Sequence, residues 1–236
     1  MNENRIIWFF KEPRSGSSWL SHVLKHKLAR TDIHVDPQLI GQVPIEQMGT
    51  ELLSGRLGYN DANAFYCTHR FELLEGLTVY QDPVIIRSVR RNVAEQVLSE
   101  MTADLSGWHL THRYKDTSRN ALSENTFKNL IKNPVEVFKQ DLIKYMRKVK
   151  RRDELWDMYS SKFESYTIVY EDLLQGVNLP VFEGTIKFGD YNDYIVKTPD
   201  YKRDLFVNYD QVVDWVNEYA KSMAISREGI TSATDA

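Results

Sequence analysis

The sequence has little of several features that would indicate a function directly. It has one cysteine, Cys67, in 236 residues, so no internal disulfide can form and no cysteine-rich metal site can be built. Its net charge is −3, so the sequence lacks the excess of Lys and Arg that general nucleic-acid binding needs. Its first apolar run, Ile6–Phe10, is too short for a membrane span, and Lys11 and Glu12 interrupt it at once. We therefore expect a cytoplasmic protein with no nucleic-acid partner and no membrane association.

Short apolar segments alternate with helical patterns along the chain. Ile6–Phe10 is rich in residues that favour strands, as expected for a strand buried on both faces of a parallel sheet. Further strand patterns follow at Asp32–Val35, Ala64–Thr68, Val84–Val89 and Tyr166–Tyr170, and helical patterns at Leu20–Leu28, Asn92–Met101 and Pro134–Trp156. This alternation predicts an α/β fold with a parallel β-sheet flanked by helices.

The chain length of 236 residues suits one full α/β domain better than two compact ones. We therefore predict a single domain over residues 1–224. Residues 225–236 are mostly small or polar and predict a flexible C-terminal tail. The chain also contains two polar insertions, Gly41–Asn63 and Thr102–Glu124. Loops of this length in a compact domain are usually functional or disordered.

A turn-forming cluster, Pro13–Ser18, stands between the first strand pattern and the first helical pattern. Gly16 lets the backbone turn and approach a ligand closely. The amides of Ser15–Trp19 would then lie at a helix N-terminus, where unpaired N–H groups and the helix dipole favour an anion. Arg14 adds a guanidinium suited to phosphate or sulfate oxygens. The cluster therefore predicts an anion site, although serines that only cap a helix also fit it.

The phosphate loop of kinases and hydrolases has a different pattern, G-x-x-x-x-G-K-[ST]. This chain has no glycine five residues before Gly16 and no lysine directly after it. An enzyme that hydrolyses ATP or GTP is therefore disfavoured.

Three arginines, Arg87, Arg90 and Arg91, lie near the end of the strongest strand pattern. Such a cluster at the carboxyl end of a strand suits a phosphate group. A helix that starts near Asn92 would place Ser99 about two turns along, where it could reach the same phosphate as Arg91. A solvated charged turn explains the segment equally well when it is taken alone.

His69 closes a strand pattern, which places it at the carboxyl edge of the predicted sheet. A neutral imidazole there could take a proton from an attacking hydroxyl. Cys67 shares a strand face with His69 and permits a Cys–His nucleophile, but a buried, inert cysteine fits better. His22 and His26 could share a metal on one helix face, yet the acid of a zinc-hydrolase motif is missing, which favours a solvent-exposed face.

These motifs together resemble those of the sulfotransferases that use 3′-phosphoadenosine 5′-phosphosulfate (PAPS) as donor and release PAP. Pro13–Leu20 is similar to the family's 5′-phosphosulfate loop, and Arg91 with Ser99 is similar to its 3′-phosphate motif. The Thr-His pair that ends at His69 is similar to the pair that supplies the catalytic base in cytosolic members. The resemblance covers about residues 6–171.

The resemblance implies a P-loop-like nucleotide-binding fold and in-line displacement at sulfur. It implies that His69 removes the proton of the acceptor hydroxyl and that Arg14 stabilises charge on the departing phosphate oxygen, with no metal required. The family pattern implies donor binding by Arg14, Ser15, Gly16, Ser17 and Ser18 at the 5′-phosphosulfate, by Arg91 and Ser99 at the 3′-phosphate, and by Trp19 and Tyr170 near the adenine.

The acceptor is expected to be a hydroxyl of a carbohydrate or another small molecule. Arginine rather than lysine at position 14 is similar to the carbohydrate-modifying branch of the family. Candidates for the acceptor pocket are Trp108, His109, His112 and Tyr114. Two other functions stay open: a nucleotide kinase or hydrolase of the P-loop type, and a non-catalytic module that binds phosphoadenosine or a sulfated glycan.

Overall fold

A computed structural model describes residues 5–34, 64–80, 82–106, 128–188 and 202–232. The chain divides into two compact units, where the sequence predicts one domain. The first unit comprises residues 1–89, 151–190 and 230–236, and the second comprises residues 90–150 and 191–229. The insertion predicted at Gly41–Asn63 and the four candidate acceptor residues lie outside the described residues.

The first unit is built on a five-stranded sheet in the order β2-β3-β1-β4-β5, in which every neighbouring pair is parallel. The strands are β1 (Ile7–Lys11), β2 (Thr31–His34), β3 (Ala64–Thr68), β4 (Val84–Val89) and β5 (Glu164–Val169). All five lie within one or two residues of the predicted strand patterns. A short antiparallel pair, β6 (Val177–Asn178) and β7 (Thr185–Ile186), stands apart from this sheet.

Three helices match the predicted helical patterns: α1 (Ser17–Leu28), α2 (Val93–Ser106) and α3 (Lys139–Tyr159). Two others, α4 (Lys202–Leu205) and α5 (Tyr209–Ser222), lie where no helical pattern was predicted. No helix within the described ranges is long and apolar enough to cross a membrane.

The central strand β1 is buried along its whole length because both faces of the sheet are covered. Trp8 and Phe10 project from one face and pack in a cluster with Trp156 and the 3₁₀ helix Phe71–Val79. The other face meets α1, where the Ser21 hydroxyl lies 3.6 Å from the Cys67 thiol. The predicted α/β fold with a helix-flanked parallel sheet is therefore confirmed.

The second unit has its own apolar core. Helix α2 contributes Val97, Leu98 and Met101 to a cluster completed by α3 and α5. Helix α2 extends to Ser106, so the insertion predicted from Thr102 onward begins inside this helix. Helix α3 begins five residues later than its pattern predicts, because Val135 pairs in extended form with Phe206.

The C-terminal segment is packed down at least as far as Ser232, which differs from the flexible tail predicted from residue 225 onward. In the second unit Arg227 is only 2% exposed. In the first unit the Ser232 hydroxyl accepts a hydrogen bond from the Val169 amide at 2.8 Å, and the Ser232 amide donates to Asp172 at 3.0 Å. Composition predicted a loose end here because it does not reveal these tertiary hydrogen bonds.

Candidate functional site

Several of the predicted site residues of the first unit gather at the carboxyl edge of its sheet. The loop 12–16 follows β1, His69 follows β3, and Tyr170 follows β5. The strand order places β1 in the middle, with β3 on one side and β4 on the other. Open parallel sheets bind ligands at the carboxyl ends of strands where the order reverses, so this edge is the candidate site.

The loop delivers the chain into α1 through a glycine. Gly16 is the N-cap residue, with φ 71° and ψ 11°, and no side chain caps the helix. The first helical hydrogen bond runs from the Leu20 amide to the Gly16 carbonyl at 3.0 Å, so the amides of residues 17–19 precede it at the helix N-terminus. The first turn also contains no acidic residue. These features suit an anion, and they disagree with the alternative in which a serine caps the helix.

Ser15 is fully buried, and its hydroxyl points into the protein. It donates to the Glu12 carbonyl at 2.8 Å and lies 2.8 Å from the Ser88 hydroxyl. Because one hydroxyl carries one hydrogen, Ser88 must donate to Ser15. Ser15 therefore fastens the loop to β4 with its side chain. The Ser15 amide also donates to the Glu12 carbonyl, at 3.4 Å, so the expected contact of Ser15 with the 5′-phosphosulfate stays a prediction.

Arg14 is half-buried and has a left-handed backbone, with φ 63°. This conformation costs a residue with a side chain about 1–2 kcal/mol, and it is typical of sites where the surroundings impose the geometry. Arg14 and Gly16 both have positive φ, so the loop turns sharply between them.

A buried ion-pair network lies behind the loop, and no motif in the sequence predicted it. Arg87 of β4 is 2% exposed, and its Nε donates to the Glu12 carboxylate at 2.8 Å. Its Nη2 also contacts Glu12 and Asp153 of α3. Arg87 thus lies within the strand, as predicted, and is engaged with Glu12. The sequence did contain a signal for this pair. One charged residue, Glu12, directly follows a buried strand, and another, Arg87, lies inside a second strand.

An aromatic cluster covers the loop from the other side. The Tyr170 ring packs against Gly16 so closely that a Cβ there would lie 2.9 Å from Tyr170 Cδ2. Phe188 lies with its ring 5.0 Å from Tyr170 and 5.1 Å from Trp19. Trp19 and Tyr170 are therefore linked through Phe188, and their expected place near the adenine stays a prediction. Phe188 itself had no signal in the sequence, since only tertiary packing brings it here.

We predict that Gly16→Ala destabilises the fold and weakens anion binding. The left-handed φ costs about 1–2 kcal/mol for any residue with a Cβ, and contact with Tyr170 adds strain. Urea unfolding measures the loss. The matched control is Gly229→Ala, because a Cβ there meets nothing within 4 Å. A loss for Gly16→Ala no larger than for Gly229→Ala would contradict this account.

His69 is exposed at the same edge, and one of its ring nitrogens is fixed by the backbone. Its Nδ1 lies 2.6 Å from the Lys11 carbonyl oxygen. A carbonyl can only accept, so Nδ1 carries the hydrogen and Nε2 of the neutral ring carries the lone pair. This tautomer is the one that a general base acting through Nε2 requires.

The other candidate functional side chains in the sequence are Cys67, His22 and His26, and their surroundings differ from those of His69. Cys67 is buried beside Ser21 of α1, in agreement with the inert cysteine rather than a Cys–His nucleophile. His22 and His26 meet through their Nε2 atoms at 3.2 Å on the exposed part of α1. Within the described ranges, no group of three or more metal-ligating side chains is present.

The second motif belongs to the second unit. The Asn92 side chain accepts a hydrogen bond from the Glu95 amide at 3.0 Å and so caps α2, which begins where the sequence predicts. Ser99 lies along this helix and is 7% exposed. The Arg90 guanidinium forms an ion pair with the Glu95 carboxylate at 3.4 Å, and this carboxylate also accepts a hydrogen bond from the Tyr209 hydroxyl at 2.9 Å.

Charged residues in later parts of the chain are also engaged. Asp172 lies inside the 3₁₀ helix Tyr170–Leu174, and its carboxylate accepts a hydrogen bond from the Ser232 amide. Lys197 lies outside the described residues. Arg203 is an exposed side chain paired with Asp210 at 3.2 Å.

A cavity lies at the opposite, amino edge of the sheet, and none of the residues predicted to bind PAPS lines it. Its lining includes Tyr80, Asp82, Phe163 and Glu164. Burial and the hydrogen bond to Glu164 raise the pKa of Tyr166 to about 12. Burial alone raises the pKa of Glu164, but the bonds from Tyr166 and Arg5 outweigh it and lower this pKa. The charges at this edge are matched to one another rather than to an anion.

No protein-family model matches the chain, and no curated protein or solved structure does. The function proposed for it therefore depends on its residues and on the geometry of the site.

Proposed function

We propose that the protein is a PAPS-dependent sulfotransferase with a P-loop-like nucleotide-binding fold. The proposal depends on one observation, the N-terminus of α1. Gly16 precedes this helix in a left-handed conformation, and no side chain caps it. Arg14 precedes it, and the exposed His69 stands at the same sheet edge. An anion-binding loop beside a neutral base is the pair of elements that sulfuryl transfer to a hydroxyl needs.

The position of the loop supports the nucleotide-binding part of the proposal. It follows the central strand of a parallel sheet in the order β2-β3-β1-β4-β5 and opens directly into a helix. Phosphate loops occupy this place because the sheet edge and the helix N-terminus converge there. The loop has hydroxyl residues after Gly16 and no lysine directly after it, which favours PAPS over ATP.

PAPS supplies the sulfuryl group, whose transfer breaks the bond between sulfur and the 5′-phosphate oxygen and releases PAP. His69 Nε2 takes the proton of the acceptor hydroxyl, while Lys11 holds the ring through Nδ1. Arg14 and the amides of residues 17–19 stabilise the charge that builds up on the departing phosphate oxygen. The chain thus contributes positioning and electrostatic stabilisation, the main terms in transfers of this kind.

The 3′-phosphate is assigned to Arg91 and Ser99. Arg90 is the less suitable partner because Glu95 already attracts its guanidinium. A phosphate bound by Arg91 at the start of α2 would also gain from the helix dipole, which favours negative charge at that end. The acceptor is a hydroxyl of a carbohydrate or another small molecule, and the proposed setting is cytoplasmic.

Thermal unfolding in the presence of nucleotides tests this proposal. We expect PAP to raise the melting temperature, since a ligand at 100 times its Kd stabilises by about 2.7 kcal/mol. ADP and ATP should give smaller shifts, with or without Mg²⁺. A larger, Mg²⁺-dependent shift with ATP would instead support the kinase or hydrolase. Binding of PAP without sulfate transfer to any hydroxyl in an acceptor screen with labelled donor would support the non-catalytic module.

A further inference from the structure

Arg227 is a buried arginine in the segment that the sequence predicts as a flexible tail. It is 2% exposed, and its Nη1 donates to the Arg90 carbonyl oxygen at 3.1 Å and to Gln96 Oε1 at 2.8 Å. All three residues belong to the second unit. A fully buried arginine with two defined acceptors is fixed in orientation, because its planar guanidinium presents donors in a rigid fork.

These two acceptors lie on either side of the turn that carries Arg91. Arg90 precedes Arg91, and Gln96 lies in the first part of α2. The Gln96 amide donates to the Asn92 carbonyl at 3.1 Å, so Gln96 is joined to the turn through its backbone and to Arg227 through its side chain. Arg227 therefore connects the entrance of the turn with the first helical turn that follows it.

The same contacts fix the backbone on both sides of Arg91. The Arg90 carbonyl is held by Arg227, and Asn92 is held by its capping bond to Glu95. The backbone at Arg91 is therefore held from both sides, which fixes the point from which its side chain extends. Loss of Arg227 would also leave the fully buried Gln96 without this donor, which favours rearrangement of the turn.

We infer that Arg227 is a positioning residue for the 3′-phosphate, acting through the Arg90–Asn92 turn. This inference rests on the proposed function. It gives the C-terminal segment a role in donor recognition: Arg227 preorganises the turn, and Arg91 contacts the phosphate. Preorganisation of this kind increases affinity because the ordering of the site is completed before the ligand binds.

The test compares two probes, PAP and adenosine 5′-phosphate, which lacks the 3′-phosphate. Calorimetric titration of the full chain gives the ratio of their affinities. We expect Arg227→Ala to lower this ratio by about tenfold, since hydrogen bonds that involve a charged group are of that strength. The affinity for adenosine 5′-phosphate should change less than about twofold. A role in stability alone would weaken both probes together.

Arg147→Ala is the matched control, because Arg147 is an exposed arginine of the same unit that lies on α3. It should leave the ratio unchanged. Gln96→Met removes the second acceptor at similar volume, and it should lower the ratio as well. If Arg227→Ala does not fold, Gln96→Met decides the question.

An unchanged ratio in Arg227→Ala, or in Gln96→Met when the first variant does not fold, overturns this inference alone. If the parent protein binds PAP no better than adenosine 5′-phosphate, the 3′-phosphate site of the proposed function fails, and the inference fails with it. The parent measurement therefore separates the two failures.

Discussion

Replacing His69 with alanine is expected to lower sulfate transfer by about 10²- to 10⁴-fold, the range typical of a lost general base. The reason is the tautomer that the backbone imposes. The Lys11 carbonyl accepts the Nδ1 hydrogen at 2.6 Å, so the lone pair of the neutral ring is on Nε2. The rate is measured with labelled PAPS and an acceptor hydroxyl found by screening. Binding of PAP should be unchanged, because the proposed role of His69 is a contact with the acceptor rather than with the nucleotide.

His26→Ala provides the control for this prediction. His26 is also an exposed histidine of the first unit, and it pairs with His22 rather than with the loop. Its loss should leave the rate of transfer near that of the parent. If His69→Ala also retains the parent rate, His69 is not the base, and the non-catalytic module gains support.

Replacing Arg87 with methionine is expected to reduce the free energy of unfolding by about 3–5 kcal/mol. Glu12 has no solvent exposure, so removal of the guanidinium takes one ion pair away from a buried carboxylate. The rings of Phe71 and Trp156, 5.7 and 5.6 Å from the guanidinium carbon, also lose a cation–π contact. Urea unfolding followed by circular dichroism measures the change.

The double variant Arg87→Met, Glu12→Gln separates charge from packing. Because it removes both members of the buried pair, it should recover part of the stability lost in Arg87→Met. Asp153 also loses its ion pair with Arg87 in the double variant, but it is 19% exposed and can be solvated, so the recovery should be incomplete rather than absent. A double variant as unstable as the sum of the two single variants would show that the pair is not coupled.

The part of the fold that could be predicted is the part that local patterns encode. Ile7–Lys11 reads as a buried strand because a parallel strand covered on both faces needs apolar residues at every position. The Gly16 turn was readable because few other residues adopt a left-handed conformation at low cost. Asn92 was readable as a helix start because its short side chain can accept a bond from the third amide of the helix.

The misses concern residues whose role depends on distant partners. Glu12 and Arg87 each appear as one charge in an apolar context, and only the register of β1 and β4 brings them together. Phe188 joins the aromatic residues beside the loop through packing. Arg227 was assigned to a tail because composition does not reveal a hydrogen bond to Arg90.

By itself, the sequence determined the five strands of the sheet, three of the helices and which loop has the chemistry for an anion, because these properties depend on neighbours along the chain. The tertiary structure decided the rest: the division into two units, the inward hydroxyl of Ser15, the tautomer of His69 and the burial of Arg227. The last three depend on hydrogen bonds to residues far away in sequence, which are Ser88, Lys11 and Arg90, and no local periodicity specifies such partners.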